Sequence, residues 1–443
     1  MKAALRLPTV LLLVLGVGGA VVLIVAATLT GWLPFAGLGD AIPDIEVATP
    51  PATPAAPTTA SGSTVPSAQS QLEWGPGVSA ERILFGQSAA FSGPAQELGK
   101  NMNIGILAAF QEANQRGGVH GRQLELVYRD DAYEPEAAIK NTQELIKQEG
   151  VFALIGAVGT PTSRSATPVA AETGVPYVAP FTGAAFLRDP EWRNIINLRA
   201  SYYQETEEMV ARLTTDLGIE RIAVIYQDDS YGRAGYRGVL RALERRRGTS
   251  VELVAIGVYP RNTTAVKAAL LDLRRGNPEA VIIIGAYEPV AALIAWTRNT
   301  GLNPVFLTVS FVGSNALARE LGTAGAGVLV TQVVPFPTDS SIPVVAAYHR
   351  ALAAYHPDAV PGFVSLEGYL AGRLAIASLE RCGREVSRAC FLDSLRRTDV
   401  IDLDEFELRY GDDDNQGSDA VFLTVIGRDG RYHAIETLRD MAQ

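Results

Sequence analysis

FALIGAVGTPTSRS, residues Phe152–Ser165, contains the strand, the loop and the helix start around which the rest of the chain is organised. Its first four residues are apolar and indicate a buried strand. Thr160, Thr162 and Ser163 lie where the following helix begins. A helix start has unpaired N–H groups and positive partial charge, so hydroxyls there predict a site for a small anion such as a carboxylate. A simple N-cap by Thr162 or Ser163 is the alternative.

A second loop of the same kind follows the first. Val178–Pro180 ends a short strand, and Phe181, Thr182 and Gly183 lead into another helical turn. Both loops carry hydroxyls and neither carries a charge near its helix start. Because the carboxyl ends of parallel strands meet at one edge of a sheet, the two loops together predict a binding crevice at that edge.

The length and composition describe a globular protein with more than one core. A chain of 443 residues with 47% hydrophobic and 19% charged residues favours two lobes. The net charge of −10 argues against a nucleic-acid partner, because protein surfaces that bind nucleic acids are basic.

The N-terminal segment predicts a membrane anchor. Leu11–Leu29 is almost wholly apolar, and after Lys2 and Arg6 no charge occurs until Asp40. Such a run is long enough to span a bilayer, and the two basic residues keep the amino end in the cytoplasm. We expect residues 1–39 to be an uncleaved single-pass anchor in the cell membrane, with everything after Asp40 outside the cytoplasm. A cleaved signal peptide is the alternative. No cysteine follows the apolar run, which excludes a lipoprotein anchor.

Residues 40–80 predict a disordered linker. Pro, Ala, Thr and Ser dominate this segment, and it has no charge between Glu46 and Glu73. This composition cannot bury a core and favours extended conformations.

From Glu81 onward the pattern alternates between strands and helices, which predicts an α/β fold with parallel sheets covered by helices on both faces. The predicted elements include strands at 83–85, 221–226, 280–284, 406–410 and 421–426 and helices at 95–116, 204–217, 289–300 and 365–381.

The sequence contains no recognisable catalytic set. It has no GxSxG, HExxH, GxxxxGK[ST] or CxxC motif, and we predict neither an enzyme nor a cofactor nor a metal site. The acidic pairs and runs Asp130–Asp131 and Asp412–Asp414 are interpreted as solvated loops. Cys382 and Cys390 either close a small loop as a disulfide or remain free thiols.

In the order and spacing of several landmarks, the chain resembles the type I periplasmic binding proteins, specifically the branched-chain amino-acid (leucine/isoleucine/valine) receptor family of ABC transporters. The landmarks are Phe91–Pro94, Gly117–Arg122, Asp130–Asp131, Gly156–Thr160, Asp228–Gly232 and the helix around Ala371.

The resemblance implies two doubly wound parallel-sheet lobes joined by a three-strand hinge. With crossings near Ala200, Thr331 and Ile401, residues 81–200 plus 333–400 form the first lobe. Residues 201–332 plus 401–443 form the second.

The resemblance also implies the residues that contact the ligand. Thr160 matches the hydroxyl that holds a ligand carboxylate, and Phe181, Thr182 and Gly183 match the neighbouring loop that completes the contacts. Tyr231 and Tyr287 match aromatic residues of the opposite lobe.

The chain also departs from the family pattern. Leu98 lies where an aromatic residue often lines the pocket. Ser310 lies near the position of the acid that binds the ligand ammonium, and that acid is missing; Glu288 is a possible substitute. The disulfide found in some members is absent, with Tyr133 and Gly159 near its positions.

The function implied is that of a solute-binding protein. It would capture an amino acid or a related small carboxylate or amide between its lobes and deliver it to an ABC permease. Because a buried ammonium without a partner is costly, the missing acid favours a carboxylate or amide without a free amine. A ligand-sensing receptor subunit without transport is the first alternative, and a hydrolase is the least favoured.

Overall fold

The computed structural model describes residues 75–442, so the predicted anchor at 1–39 and the linker up to residue 74 lie outside the described residues. Within the described range, no helix has both the length and the apolar character needed to cross a bilayer. The end of the predicted linker is part of the fold, because Val78 is buried and forms a β-bridge with Ile83. A Cβ at Gly77 would lie 2.1 Å from the backbone nitrogen of Phe152, so only glycine fits this contact. The folded region therefore begins ahead of the predicted boundary at residue 81.

The first sheet has five parallel strands in the order β2-β1-β3-β4-β5. The strands are β1 (Arg82–Ala89), β2 (Gln123–Asp130), β3 (Ala153–Ile155), β4 (Tyr177–Val178) and β5 (Ile195–Ile196). The helices between them are α1 (Gln96–Gln115), α2 (Pro135–Lys147) and α3 (Thr160–Glu172). Because β3 and β4 are neighbours in this sheet, the two hydroxyl loops leave it side by side.

The second sheet has seven strands in the order β14-β13-β10-β9-β8-β6-β7. Its strands are β6 (Arg221–Gln227), β7 (Glu252–Tyr259), β8 (Ala280–Ile284), β9 (Val305–Thr308), β10 (Leu329–Gln332), β13 (Phe422–Ile426) and β14 (Tyr432–Ile435). The helices along this part of the chain are α4 (Tyr202–Leu217), α5 (Ser230–Glu244), α6 (Lys267–Gly276), α7 (Tyr287–Asn299) and α8 (Ser314–Leu321). Every residue of β8 is buried, as expected of a central strand covered on both faces.

This sheet is not wholly parallel, because β13 pairs antiparallel with β10 and β14 pairs antiparallel with β13. The sequence pattern predicted the first of these two strands and missed the second. A hairpin allows the chain to return beside itself through a short turn, whereas a parallel return needs a long crossover.

The chain between the two visits to the second sheet is mainly helical. Its elements are α9 (Pro343–Tyr355), α10 (Phe363–Cys382), α11 (Arg388–Arg396) and the short antiparallel pair β11 (Ile401–Asp402) and β12 (Glu407–Leu408). Helix α10 packs closely on α1, because a Cβ at Gly105 would lie 2.0 Å from the carbonyl oxygen of Ser365. These helices therefore belong with the first sheet.

Two details of this segment bear on the sequence analysis. Cys382 and Cys390 form a disulfide between the end of α10 and α11, which settles the alternative left open above. The residues after Ile401 contact first-lobe elements, since Asp404 O accepts from Val344 N and Asn415 O accepts from Asn197 N. The chain joins the second sheet at Phe422.

Candidate functional site

Three hydroxyl groups meet at the carboxyl ends of β3 and β4. The Oγ1 atoms of Thr160 and Thr182 are 2.6 Å apart, and Thr182 Oγ1 donates to the Tyr202 hydroxyl at 3.2 Å. Thr160 is the first residue of α3, Thr182 follows β4, and Tyr202 is the first residue of α4. All three side chains are buried. We call these three residues the hydroxyl cluster.

The other hydroxyls of the first loop have structural roles. Thr162 Oγ1 donates to the carbonyl oxygens of Val158 and Gly159, and Ser163 Oγ accepts from the Tyr177 hydroxyl at 3.2 Å. No side chain caps the start of α3. The N-cap alternative for Thr162 and Ser163 is therefore wrong.

Aromatic rings from the second lobe lie against the two loops. The Phe311 ring centroid is 5.4 Å from that of Phe181 and 4.5 Å from that of Tyr231, and Tyr231 is 5.5 Å from Tyr202. The Tyr231 hydroxyl donates to the Gly285 carbonyl oxygen at 3.3 Å. The structure is therefore a closed form in which rings of both lobes are in contact.

Leu98 and Tyr287 meet beside these rings. A Cβ at Gly313 would lie 2.6 Å from Leu98 Cδ2 and 3.4 Å from Tyr287 Cδ1, so both side chains face the same short turn. Tyr287 opens α7, which begins two residues before the predicted start at Pro289. Proline is tolerated in a first helical turn because the N–H it lacks has no partner there. Burial raises the pKa of Tyr287 to about 12, so it stays a neutral donor.

Gly183 lets α4 start close to the second loop. A Cβ at Gly183 would lie 2.6 Å from the Tyr202 nitrogen, and that nitrogen donates to the Gly183 carbonyl oxygen at 2.7 Å. Burial raises the pKa of Tyr202 to about 12, which keeps its hydroxyl protonated at neutral pH.

A cavity of about 300 Å³ lies farther out between the lobes, and we call it the outer cavity. This volume is at the small end of the range for ligand pockets. Residues of both lobes line it: Pro94, Ala95, Tyr133, Gln227, Asn262, Thr263, Thr264, Ala286, Glu288 and Pro289. Glu288 therefore faces the outer cavity, whose lining includes neither Thr160 nor Thr182.

Tyr133 separates the outer cavity from the first hydroxyl loop. Its ring is so close to Gly159 that a Cβ there would lie 2.2 Å from Tyr133 Cε2. Tyr133 and Gly159, the two positions that resemble the disulfide sites of some relatives, are thus in contact. A large aromatic residue occupies one position and glycine the other. Tyr133 has a φ of 65°, a conformation that non-glycine residues rarely adopt. Its buried hydroxyl has no hydrogen-bond partner among the described residues.

Asp131 holds this loop from inside. Its Oδ1 accepts from Tyr133 N at 2.9 Å, and its Oδ2 accepts from Ser88 Oγ at 2.7 Å. Only 1% of Asp131 is exposed, so the interpretation of Asp130–Asp131 as a solvated pair is wrong for this residue. Burial raises the pKa of Asp131 to about 6.

The lobes are tied together at the mouth of the cleft. Arg261 Nη1 donates to the Tyr133 carbonyl oxygen at 2.6 Å and its guanidinium forms an ion pair with Glu134. Asn262 Nδ2 donates to Glu134 Oε1 at 2.8 Å. These contacts join the loop after β7 to the loop after β2.

A buried ion-pair cluster lies at the chain crossings. Arg199 Nη2 donates to Glu205 Oε1 at 3.1 Å, and Arg199 Nη1 lies 3.5 Å from Glu367 Oε2. Ser310 N and Oγ donate to Glu205 at 2.8 and 3.0 Å, and Thr331 Oγ1 donates to it at 2.6 Å. Ser310, predicted at the position of the missing acid, thus binds a carboxylate supplied by α4.

The charges of this cluster are coupled to the cleft. The Arg199 guanidinium carbon lies 5.0 Å from the Phe181 ring centroid. Burial raises the pKa of Glu367 to about 7, although Arg199 opposes the shift. Burial lowers the pKa of Arg199, but the Glu367 and Glu205 carboxylates outweigh it and the net shift is upward, which keeps Arg199 charged.

The sequence interpretation missed Phe311, Tyr202, Tyr133 and the pair Arg199–Glu205 as parts of this region. A signal for the pair was present, because Arg199 follows an uncharged stretch with Ile195, Ile196 and Leu198, immediately before the predicted crossing near Ala200. A charge in that setting needs a buried partner.

Two α/β sheets with a cleft between them define a two-lobed binding protein. The chain belongs to the periplasmic binding protein family, whose model matches residues 83–431. The family resemblance found in the sequence is thereby confirmed. Members of this family are solute-binding proteins and not enzymes, and membership implies an extracytoplasmic location.

Named relatives and solved structures agree with this assignment. Leu/Ile/Val-binding protein homolog 7 of Brucella abortus is 24% identical over 377 residues, covering 81% of this chain and 92% of the relative. The leucine-, isoleucine-, valine-, threonine-, and alanine-binding protein of Pseudomonas aeruginosa is 24% identical, covering 69% of this chain and 80% of the relative. The structure of a possible leucine/isoleucine/valine-binding protein from Rhodopirellula baltica is 39% identical, with a TM-score of 0.77, and covers 82% of this chain and 98% of that one.

Proposed function

We propose that this protein captures a small carboxylate, either an amino acid or a related carboxylate or amide, between its two lobes and delivers it to an ABC importer. The observation that carries the proposal is the 2.6 Å contact between the Thr160 and Thr182 hydroxyls. These hydroxyls lie at a helix start in one lobe and beneath aromatic rings of the other. Hydroxyl donors beside a helix N-terminus suit a carboxylate head group.

The proposed ligand contacts follow from this geometry. When the lobes separate, Thr160, Thr182 and the backbone of Gly183 become accessible. These groups would then hold the carboxylate. Phe181 and Tyr231 would contact the body of the ligand. Leu98, Tyr287 and Ser310 complete the proposed set. Glu288 lines the outer cavity and would join the set only for a ligand that carries an ammonium group.

The proposed mechanism is a shift between open and closed lobes. Contacts between the lobes already exist, as in the Arg261–Glu134 ion pair and the Arg319–Glu97 pair at 2.9 Å. A ligand that touches both lobes lowers the free energy of the closed form only and so raises its population. A permease that recognises the closed form would then receive loaded protein.

We further propose the lobe boundaries given by the family resemblance. The first lobe is 81–200 plus 333–400 and the second is 201–332 plus 401–443. The packing of α10 on α1 supports the first assignment, and the pairing of β13 with β10 supports placing the last strands in the second lobe. The contacts of Asp404 and Asn415 with the first lobe favour a later return to the second lobe, at Phe422. Residues 1–39 are proposed as the membrane anchor.

A thermal-unfolding screen of the full-length chain tests the proposal. Amino acids, their amides and amine-free carboxylates are added one at a time, and bound compounds are recovered and identified. A true ligand at 100 times its Kd should add about 2.7 kcal/mol to the free energy of unfolding and be recovered unchanged. Stabilisation by no compound, or chemical conversion of a bound compound, would contradict the proposal.

A further inference from the structure

The groups around the hydroxyl cluster offer hydrogen-bond donors and apolar surface. Thr182 Oγ1 donates to the Tyr202 hydroxyl, and the Tyr202 ring is followed by the contacting rings of Tyr231, Phe311 and Phe181. None of these side chains carries a negative charge at neutral pH. A ligand carboxylate finds donors here, whereas an ammonium finds no counter-charge.

The backbone carbonyls of the second loop are also occupied. Phe181 O accepts from Gly159 N at 3.2 Å, and Gly183 O accepts from Tyr202 N at 2.7 Å. Thr182 O accepts from Arg188 Nη1 at 3.4 Å. Each of these oxygens can accept a second hydrogen bond, but none offers an ammonium a negative charge.

The nearest buried carboxylates are paired inside the protein. Glu205 accepts four hydrogen bonds, from Arg199 Nη2, from Ser310 N and Oγ and from Thr331 Oγ1. Glu367 lies against the same guanidinium. Arg199 is thus the counter-cation of Glu205, and the Arg188 guanidinium adds positive charge near both acids.

Other acids lie along the cleft, and two of them, Glu134 and Glu97, are paired with Arg261 and Arg319 of the opposite lobe. Asp229 accepts from Gln227 Nε2 at 2.6 Å and caps α5 through a bond from Gly232 N at 3.0 Å. Glu288 lines the outer cavity, and Tyr133 stands between that cavity and the loop that carries Thr160. In an α-amino acid the ammonium and carboxylate are attached to the same carbon, so a carboxylate on the threonines holds the ammonium away from Glu288.

From this arrangement we infer that the ligand is a carboxylate that lacks an α-ammonium group and carries an apolar body. The inference rests on the proposed function, since it takes Thr160 and Thr182 as the carboxylate site. An α-ammonium closed into this region would be buried without a partner, which is costly. The aromatic rings of Phe181, Phe311 and Tyr231 supply apolar surface for the rest of the ligand.

Calorimetric titration of the full-length chain with matched compounds tests this inference. The first pair is 4-methylpentanoate and leucine, which differ only in the ammonium group, and the second is 3-phenylpropanoate and phenylalanine. Leucinamide, which keeps the ammonium and loses the carboxylate, is the third arm. We expect the amine-free acid of at least one pair to bind at least tenfold more tightly than its amino acid, a difference of about 1.4 kcal/mol. We expect no binding of leucinamide.

The possible outcomes separate this inference from the proposed function. Equal or tighter binding of the amino acids would overturn the inference and leave a solute-binding protein. A ligand found only among neutral or cationic compounds would also overturn it, while binding of no compound would remove the proposed function as well. Glu288→Gln tests the alternative contact between a ligand ammonium and the Glu288 carboxylate. If this variant loses tenfold in affinity for leucine alone, the ammonium binds at Glu288 and the inference is overturned. An unchanged preference for the amine-free acid would support it.

Discussion

Replacing Thr160 by valine removes one hydroxyl and keeps a side chain of similar shape. In the closed form the hydroxyl lies 2.6 Å from that of Thr182, and its loss costs one neutral hydrogen bond, about 1 kcal/mol of the free energy of unfolding. Toward a ligand the loss is larger, because a hydrogen bond to a charged group contributes about 1.5–3 kcal/mol. We therefore expect Thr160→Val to weaken carboxylate binding roughly 10- to 150-fold.

Calorimetric titration with the best carboxylate from the screen measures this change, and thermal unfolding reports that the variant is folded. Thr167→Val is the matched control, because Thr167 lies on the same helix, is buried and has an Oγ1 without a hydrogen-bond partner among the described residues. The control should bind as the unmodified chain does and be no less stable. Unchanged affinity in Thr160→Val, or an equal loss in Thr167→Val, would refute the role given to Thr160.

Three further predictions concern stability. Burial raises the pKa of Glu367 to about 7 from 4.5. Between these pH values the folded protein keeps a proton on Glu367 that the unfolded chain releases. This group therefore makes stability fall as the pH rises from 4.5 to about 7. Glu367→Gln should make the thermal unfolding midpoint depend less on pH between these two values. A pH dependence as steep as that of the unmodified chain would contradict the raised pKa of Glu367. Reduction of Cys382–Cys390 should cost about 2.5 kcal/mol through loop entropy, measured as the denaturant midpoint with and without reductant; an unchanged midpoint would refute it. Gly159→Ala should destabilise by about 1–3 kcal/mol more than Gly174→Ala in thermal unfolding. Both glycines have positive φ, but only at Gly159 would a Cβ clash with an aromatic ring, that of Tyr133. Equal losses of stability in the two variants would count against this contact.

Local sequence patterns were sufficient for the parts of the fold that local forces determine. The strand, loop and helix start of residues 152–165 were predictable because apolar residues, glycines and hydroxyls each have a preferred place in such a unit. The start of α7 was predicted two residues late, because Pro289 was taken as the first helical residue although proline also fits within a first turn.

Contacts between distant parts of the chain could not be predicted in this way. Glu205 meets Ser310 and Thr331, and Arg199 meets Glu367, only because the two sheets and α10 converge at the crossings. The sequence alone does not show that residues so far apart along the chain lie close together in space.

Phe311 illustrates the same limit in the site itself. In the sequence it is one apolar residue after Ser310, whereas in the structure its ring lies between Phe181 and Tyr231 of the two lobes. The family resemblance drew attention to a missing acid near this position, but only the fold identifies the aromatic surface found there.

A crystal structure of the full-length chain with its tightest-binding carboxylate tests the central claim most directly. We predict that the carboxylate oxygens lie within hydrogen-bonding distance of the Thr160 and Thr182 hydroxyls, with the ligand body against Phe181 and Tyr231. A carboxylate found in the outer cavity beside Thr263 and Thr264, out of reach of both hydroxyls, would contradict it.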